Sequence, residues 1–347
     1  MMMNSLDDHG TFSLSSLTTC RQIAGCSSML DVTAARRRRS EFRPLKLLSN
    51  EDGGFRKSER YENLDNHGNR DDDFPHHSSV IGRRREMEDA VRVEVGFVND
   101  NSREFDFYGV YDGHGGSRVS FECCERLHRL LAEKMKMEMK MENGSMNWER
   151  LMIESFTKMD EEVNEGGLAE SVGSTAVVAV VSDDEIAVAN CGDSRAVLSR
   201  DGATMPLSSD HKPDRHDELE RIERSGGAVI DWNGQRVMGV LATSRSIGDR
   251  QFYPYIIAKP EVTVNKREDE DEFIILASDG LWDVISNDLA CHVVRKCLDG
   301  RIICRKNSQE TNDNQYRMTN AAVVLTKLAM ARGSKDNISV IVVNLKD

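Results

Sequence analysis

Nowhere in the 347-residue chain do about 18 apolar residues follow one another, so no membrane-spanning helix is expected. Basic charge is also in deficit. Lys and Arg number 46 against 59 Asp and Glu, a formal net charge of −13, which argues against general binding to nucleic-acid phosphates. The eight cysteines contain no C-x-x-C pair, and no Cys/His cluster has the spacing of a zinc site. Several of them lie inside apolar stretches and read as reduced, structural thiols of an intracellular protein. No internal repeat is visible, and 347 residues suffice for one large domain or two small ones.

The first part of the chain lacks apolar material. Residues 1–77 hold Ser/Thr clusters, a RRRR run at 36–39 and long polar strings, and cannot bury enough apolar surface to fold alone. They are expected to form a disordered, polar and basic arm ahead of one ordered domain over 78–347. Asp7, Asp8 and the missing apolar core region speak against a secretory or transit peptide. "AARRRRSEFRPLK" can be read as a nuclear-import signal or, equally well from composition, as a solvated basic helix end. The expected location is nucleus and cytoplasm.

Within the ordered part, strand-like runs occur at 79–82, 90–98, 105–111, 174–181, 185–190, 194–199, 260–265, 272–278 and 337–345. Helical patterns occupy 116–142, 147–164, 214–225, 287–298 and 319–332. Adjacent strands joined by tight turns, with helices in pairs, predict an α+β fold with antiparallel sheets rather than a doubly wound parallel one.

One stretch sets the functional question. "FDFYGVYDGHGG" (105–116) runs from a buried strand into an aspartate, three glycines and a histidine. An Asp-Gly turn alone is usually only a turn. The pattern recurs, however: "EFIILASDGLWD" leads into Asp279, "SKDNISVIVVNL" places Asp336 just before the last strand, and Glu88 and Asp89 precede another. Four acidic sites at strand edges, if brought together, need cations. Oxygen-only ligation with several waters suits hard ions such as Mg²⁺ or Mn²⁺. Two such ions would acidify a water held between them and aim it at phosphorus. Among Arg83, Arg84 and Arg85 at least one forked donor can face phosphate oxygens, although a run of three arginines also reads as solvated charge. His114 can protonate a leaving oxygen or simply cap its loop.

The segments "GRRREMEDA", "YDGHGG", "GSTAVV", "NCGDSRAV", "DHKPD", "SRSIGD", "ASDGLWD" and "DNISVIVV" stand in the order seen in the metal-dependent protein phosphatases of the 2C family, which residues 78–346 resemble. The resemblance implies two packed antiparallel β-sheets flanked by helices, a four-layer α-β-β-α sandwich. It implies two Mg²⁺ or Mn²⁺ ions per active site, bridged by Asp112 and held further by the Gly113 carbonyl, Glu88, Asp279 and Asp336. Asp89 would contact a metal-bound water, Arg84 would bind phosphate and His114 would be the general acid. The implied reaction is a single displacement on phosphoserine or phosphothreonine by a metal-bound hydroxide, with no phosphoenzyme and no nucleophilic role for Cys191. Asp193 is expected to be structural. The haloacid-dehalogenase type needs D-x-D after its first strand, and "VYDGHGG" offers no second aspartate there.

Trp232 precedes Asn233-Gly234, a strong turn signal, so its ring is expected near a hairpin tip. There it can pack on its own loop or anchor a partner. The surrounding sequence resembles the plant 2C phosphatases that act as abscisic-acid co-receptors. This implies inhibition by receptors of the PYR/PYL type through Trp232, Gly115 and Gly116, stress-activated protein kinases as substrates, and a monomer. Met238, Gln251 and His216 depart from that clade's usual Phe, Tyr and Pro. The alternatives are the same chemistry without hormone-receptor control, or a catalytically weak kinase-binding scaffold.

Overall fold

The alternation at Phe105, Phe107 and Tyr111 becomes the middle of a layered structure. A computed structural model describes residues 77–100, 103–141, 146–167, 169, 171–302 and 313–346. In chain order these form β1 His77–Val80, β2 Ala90–Asp100, β3 Arg103–Tyr111 and the two-residue β4 Gly113–His114. Two long helices follow, α1 Arg118–Met141 and α2 Trp148–Glu165. Next come β5 Gly173–Ser174, β6 Ala176–Val181, β7 Glu185–Cys191, β8 Arg195–Arg200 and β9 Ala203–Pro206. A side lobe carries α3 His216–Arg224, β10 Val229–Asp231 and β11 Gln235–Val237, and the two-residue β12 Ile247–Gly248 follows it. The chain closes with β13 Glu261–Lys266, β14 Asp271–Ala277, α4 Asp279–Trp282, α5 Asn287–Leu298, α6 Asp313–Ala331 and β15 Ile338–Asn344.

Two five-stranded sheets, in the orders β1-β15-β14-β8-β9 and β13-β7-β6-β3-β2, carry the fold. Every pairing within them is antiparallel. Successive side chains point to opposite faces of a strand, so β3 serves two cores at once. Phe105, Phe107 and Tyr111 are fully buried with Leu127 and Leu131 of α1 and Met152 and Phe156 of α2. Tyr108 and Val110 point the other way, into a core shared with Leu198, Ile274, Leu276 and Ile341 of the facing sheet. That sheet's outer side packs Ile275, Val340 and Val342 under Val294 of α5 and Leu325 of α6. The order of layers is therefore α-β-β-α, the α+β sandwich expected.

Several details differ from expectation. The strand expected over 174–181 is two strands, broken at Thr175, where pairing passes from β4 to β3. The last helix starts at Asp313 rather than 319. Strands of two to four residues (β4, β5, β9 to β12) are too short to show a periodic signal. The arm expected over 1–77 lies outside the described residues, except that His77 already belongs to β1. No helix among the described residues is long and apolar enough to cross a membrane.

The side lobe has its own small core of Ile222, Val237, Leu241, Phe252 and Ile256. Its root is a buried carboxylate. Glu218 of α3 accepts from Arg245 Nη2 at 2.7 Å, Arg221 Nη2 at 2.8 Å and Ser244 Oγ at 2.6 Å. Burial alone would raise the Glu218 pKa, but these donors outweigh it and hold it at about 2 against an ordinary 4.5. A depressed carboxyl stabilises the fold above the unfolded-state value, and that contribution drains away as pH falls from there toward the folded-state value. Glu218→Gln leaves the buried Arg245 and the part-buried Arg221 guanidinium groups short of a counter-charge and is expected to cost about 3 kcal/mol in urea unfolding at neutral pH. The gap between parent and variant should close as the pH is lowered from about 4.5 toward about 2.

Candidate active site

Asp112 follows the last residue of β3, at the end of a strand that both cores grip. Its backbone is locked to Thr175: the Asp112 N–H donates to Thr175 Oγ1 at 3.2 Å, and the Thr175 N–H to the Asp112 carbonyl at 2.9 Å. Thr175 Oγ1 in turn lies 2.8 Å from Ser194 Oγ. Gly113 donates its N–H to the Glu88 carbonyl at 3.2 Å. A Cβ on Gly113 would strike that carbonyl and, at 2.8 Å, Ser120 Oγ, so only glycine lets the two segments meet.

Asn337 staples the remaining segments together. Its Nδ2 donates to the carbonyls of Ile81 at 2.9 Å and Glu86 at 3.1 Å, and its Oδ1 accepts from the Glu88 N–H at 2.8 Å. One buried amide thus ties the 81–88 segment to the start of β15 and sets Glu88 near Asp336. Ser278 does the same for the neighbouring strand. Its hydroxyl donates to Asp89 Oδ2 at 2.9 Å and accepts from the Ser339 N–H at 3.1 Å. Asp279 is the first residue of α4.

Four carboxylates expected from sequence stand close enough to perturb one another. Burial, then the charges of Asp89, Asp279, Asp193 and Asp336, push Asp112 well above the ordinary carboxylate range. Asp112 and Asp279 are only half-buried as whole residues, but their carboxyl groups are recessed, and the recess governs titration. Asp279 is pushed up by burial and by Asp193, Asp283 and Asp336, with Lys212 opposing. Asp89 rises to about 6 through burial and the Asp336 charge. Burial also raises Glu88, against the pull of Arg84 and His114.

Asp193, expected to be structural, belongs to this cluster. It is buried and accepts from Lys212 Nζ at 2.6 Å. Burial would lower the Lys212 pKa, yet Asp193 and Asp279 lift it above its ordinary value. The signal for Asp193 was its own strand-edge Asp, of the same kind as the other four.

The cluster fits divalent cations. Asp89 Oδ1 and Asp279 Oδ1 are buried with no hydrogen-bond partner, in a place where like charges accumulate. Among the described residues no three His, Cys, Asp or Glu side chains close a tight cage around a point. Ions here would keep much of their coordination as water, the habit of Mg²⁺.

Around this floor stand the other expected residues. Arg84, half-exposed, pairs with Asp336 and sits at the mouth of the cluster. His114 Nε2 lies 2.5 Å from Asp249 Oδ2, a partner the sequence reading did not supply. Gly116 donates its N–H to the Glu88 carboxylate, while Gly115 is exposed on the loop after β4. Trp232 lies apart from the carboxylates, in the three-residue loop between β10 and β11. Its N–H donates to the Gly234 carbonyl at 2.9 Å, and the residue is 60% exposed. His216 is exposed on α3 near Glu220, Gln251 lies in a short turn of 3₁₀ helix, and Met238 packs on the lobe core. None of the three joins the acidic floor. Cys191 is fully buried, and burial pushes its thiol far up, so it supplies no thiolate nucleophile.

Similarity to known proteins identifies the family. The family model described as protein phosphatase 2C matches residues 76–338. A protein of Oryza sativa subsp. japonica, "Probable protein phosphatase 2C 8", is 52% identical over 300 residues, covering 77% of this chain and 73% of its own. "Protein phosphatase 2C 37" of Arabidopsis thaliana is 48% identical over 293 residues, covering 78% and 71%. A solved structure of a serine-threonine phosphatase 2C from Toxoplasma gondii superposes with a TM-score of 0.66 over 77% of this chain and 93% of that one. At 23% identity that likeness is one of fold alone. Strand-end carboxylates on an α-β-β-α sandwich and relatives about half identical in plants lead to one conclusion: the chain belongs to the protein phosphatase 2C family of serine/threonine phosphatases.

Proposed function

We propose that this phosphatase acts on stress-activated protein kinases in nucleus and cytoplasm, as a monomer, and that hormone-bound abscisic-acid receptors of the PYR/PYL type inhibit it. The observation that carries the regulatory half is Trp232. A large aromatic ring, 60% exposed, is presented at a hairpin tip, with Ile230 46% exposed near it. An aromatic placed in this way matches the kind of residue that anchors an interface. Gly115 and Gly116, next to His114, offer a side-chain-free approach for a receptor loop.

For the chemistry, Asp112, the Gly113 carbonyl, Glu88, Asp279 and Asp336 are the residues that would hold two Mg²⁺ or Mn²⁺ ions, with Asp89 reaching them through water. When bound, such ions neutralise the carboxylates, polarise phosphate oxygens and lower the pKa of water. Arg84 lies where its guanidinium can exchange Asp336 for a phosphate oxygen and orient the ester. A water oxygen attacks phosphorus and releases a proton to solvent. The bond from phosphorus to the Ser or Thr oxygen breaks with its electron pair on that oxygen, and His114 gives it a proton. Solvent then reprotonates the imidazole. The products are free alcohol and inorganic phosphate.

The second reading is the same phosphatase without hormone-receptor control. Met238 and Gln251 favour it, since both lie on the lobe that carries Trp232. A weak kinase-binding scaffold has less support, because every carboxylate of the floor is in place.

Two measurements test the proposal. Hydrolysis of a phosphothreonine peptide should vanish in chelator and return with Mg²⁺ or Mn²⁺, and Asp279→Asn should lower kcat at least ~10²-fold. Full activity of that variant in chelator would remove the metal reading. Trp232→Ala should weaken inhibition by receptor at saturating hormone by about 30-fold, or about 2 kcal/mol, each variant being compared with its own receptor-free rate. Coincident inhibition curves would favour the phosphatase without receptor control.

A further inference from the structure

A carboxylate from a remote part of the chain holds the His114 ring. The three-stranded sheet β12-β5-β4 brings two remote pieces of chain to one place: β4 ends at His114, and β12 ends one residue before Asp249. Between them runs β5, paired through Gly173 with both His114 and Gly248. Asp249 is almost wholly buried, at 1% exposure. Its Oδ2 lies 2.5 Å from His114 Nε2 and accepts from Ser246 Oγ at 2.6 Å.

The surroundings are shaped around this pair. Asp249 takes a left-handed backbone with φ of 51°, uncommon for a residue with a side chain. Two bonds hold it there: its N–H donates to the Val172 carbonyl at 3.1 Å, and its carbonyl accepts from the Phe252 N–H at 2.8 Å. The preceding Gly248 N–H is anchored to Asp160 Oδ1 of α2 at 2.7 Å. A Cβ on Gly173 would land on Asp249 Oδ2 and come within 2.5 Å of His114 Nε2. The ring and carboxylate therefore pack directly against a bare Cα. A strained aspartate, a helix anchor and an obligatory glycine converge on one imidazole nitrogen.

We infer that Asp249 is a positioning residue for the hydrolytic step: it holds His114 through Nε2–H and aims the opposite nitrogen, so that the Nδ1 proton of the imidazolium meets the departing Ser or Thr oxygen and the Nε2 proton stays on the carboxylate side. The inference rests on the acid role given to His114 above. In that step the P–O bond breaks, its electrons stay on the alkoxide oxygen, and the proton moves from imidazole to that oxygen. A ring free to rotate delivers it late, which matters most for a poor leaving group. p-Nitrophenolate leaves without a proton, so it depends least on the ring's orientation.

The experiment compares Asp249→Ala, Asp249→Asn, Gly173→Ala and His114→Ala in the full chain. The reading is the ratio of kcat on a phosphothreonine peptide to kcat on p-nitrophenyl phosphate. Asp249→Ala and Gly173→Ala should each lower this ratio at least about tenfold with KM little changed, within the range of general-acid catalysis. Asp249→Asn, which keeps the size and an acceptor oxygen, should recover part of the loss. The Asp249→Ala/His114→Ala double variant should be no worse than His114→Ala alone. Long-range ¹H–¹⁵N correlation on the metal-free protein supplies a readout apart from turnover. In the neutral ring, the form left after proton transfer, the remaining proton should reside on Nε2 in the parent, leaving Nδ1 to be reprotonated, and be shared between both nitrogens in Asp249→Ala. A parent-like ratio in the Asp249 and Gly173 variants, with a lowered ratio in His114→Ala, would overturn the positioning role alone. A parent-like ratio in His114→Ala would overturn the acid role and this inference together, whatever the tautomer.

Discussion

Mutual repulsion among carboxylates is the constraint that the rest of the molecule answers. Two unit charges about 4 Å apart repel by about 4 kcal/mol at an effective dielectric of about 20. Asp112 faces the charges of Asp89, Asp279, Asp193 and Asp336 from within a recess. Such a cluster disperses unless each member is held by something stronger than the repulsion. Three of them are held by neutral groups. Asp112 is clamped through its backbone to Thr175, Glu88 through its backbone to Asn337, and Asp89 through its carboxylate to the Ser278 hydroxyl, which also meets the backbone of β15. The first two clamps engage backbone groups, so they persist whatever the protonation of the acids they position.

The clamps in turn need rigid strands, which explains the double-sided burial of β3. With Phe105, Phe107 and Tyr111 in one core and Tyr108 and Val110 in another, any slip of this strand would cost both. The carboxylates stand at strand ends because interior positions would leave them no room for cations and water. Function and packing therefore divide along each strand, apolar residues inside and acids at the rim. Lys212 and Arg84 add partial compensation, one through Asp193 and the other through Asp336.

Much of this was legible in the sequence, for physical reasons that can be named. Period-two burial in β3 and the apolar runs of β6, β14 and β15 reveal the sheets, and the acids just after β3 and β14 and just before β2 and β15 reveal the rim. Asp193 carries the same mark in "NCGDSRAV", although a Gly-Asp-Ser string between two strands reads equally as a plain turn. Asn337 was visible as a residue but not as a staple, since its three bonds reach 250 or so positions back in the chain. Asp249 ends the segment "SRSIGD", but nothing local ties it to His114. A two-residue strand has no periodicity, and the partner of His114 lies 135 positions away.

The distant pairings carry a consequence for regulation. The chain that leaves β11 runs through Arg245 and Ser246 to Asp249, so the lobe that presents Trp232 and the element that touches His114 are consecutive. Arg245 is tied to Glu218 at the lobe's root, and Ser246 to Asp249 itself. The segment that follows the lobe is fixed a second time, because Gly248 is also held by Asp160 of α2, outside the lobe. On the receptor-controlled reading proposed above, a partner on the hairpin tip would therefore act by occlusion and would not need to bend the His114–Asp249 pair, which is anchored independently of the tip.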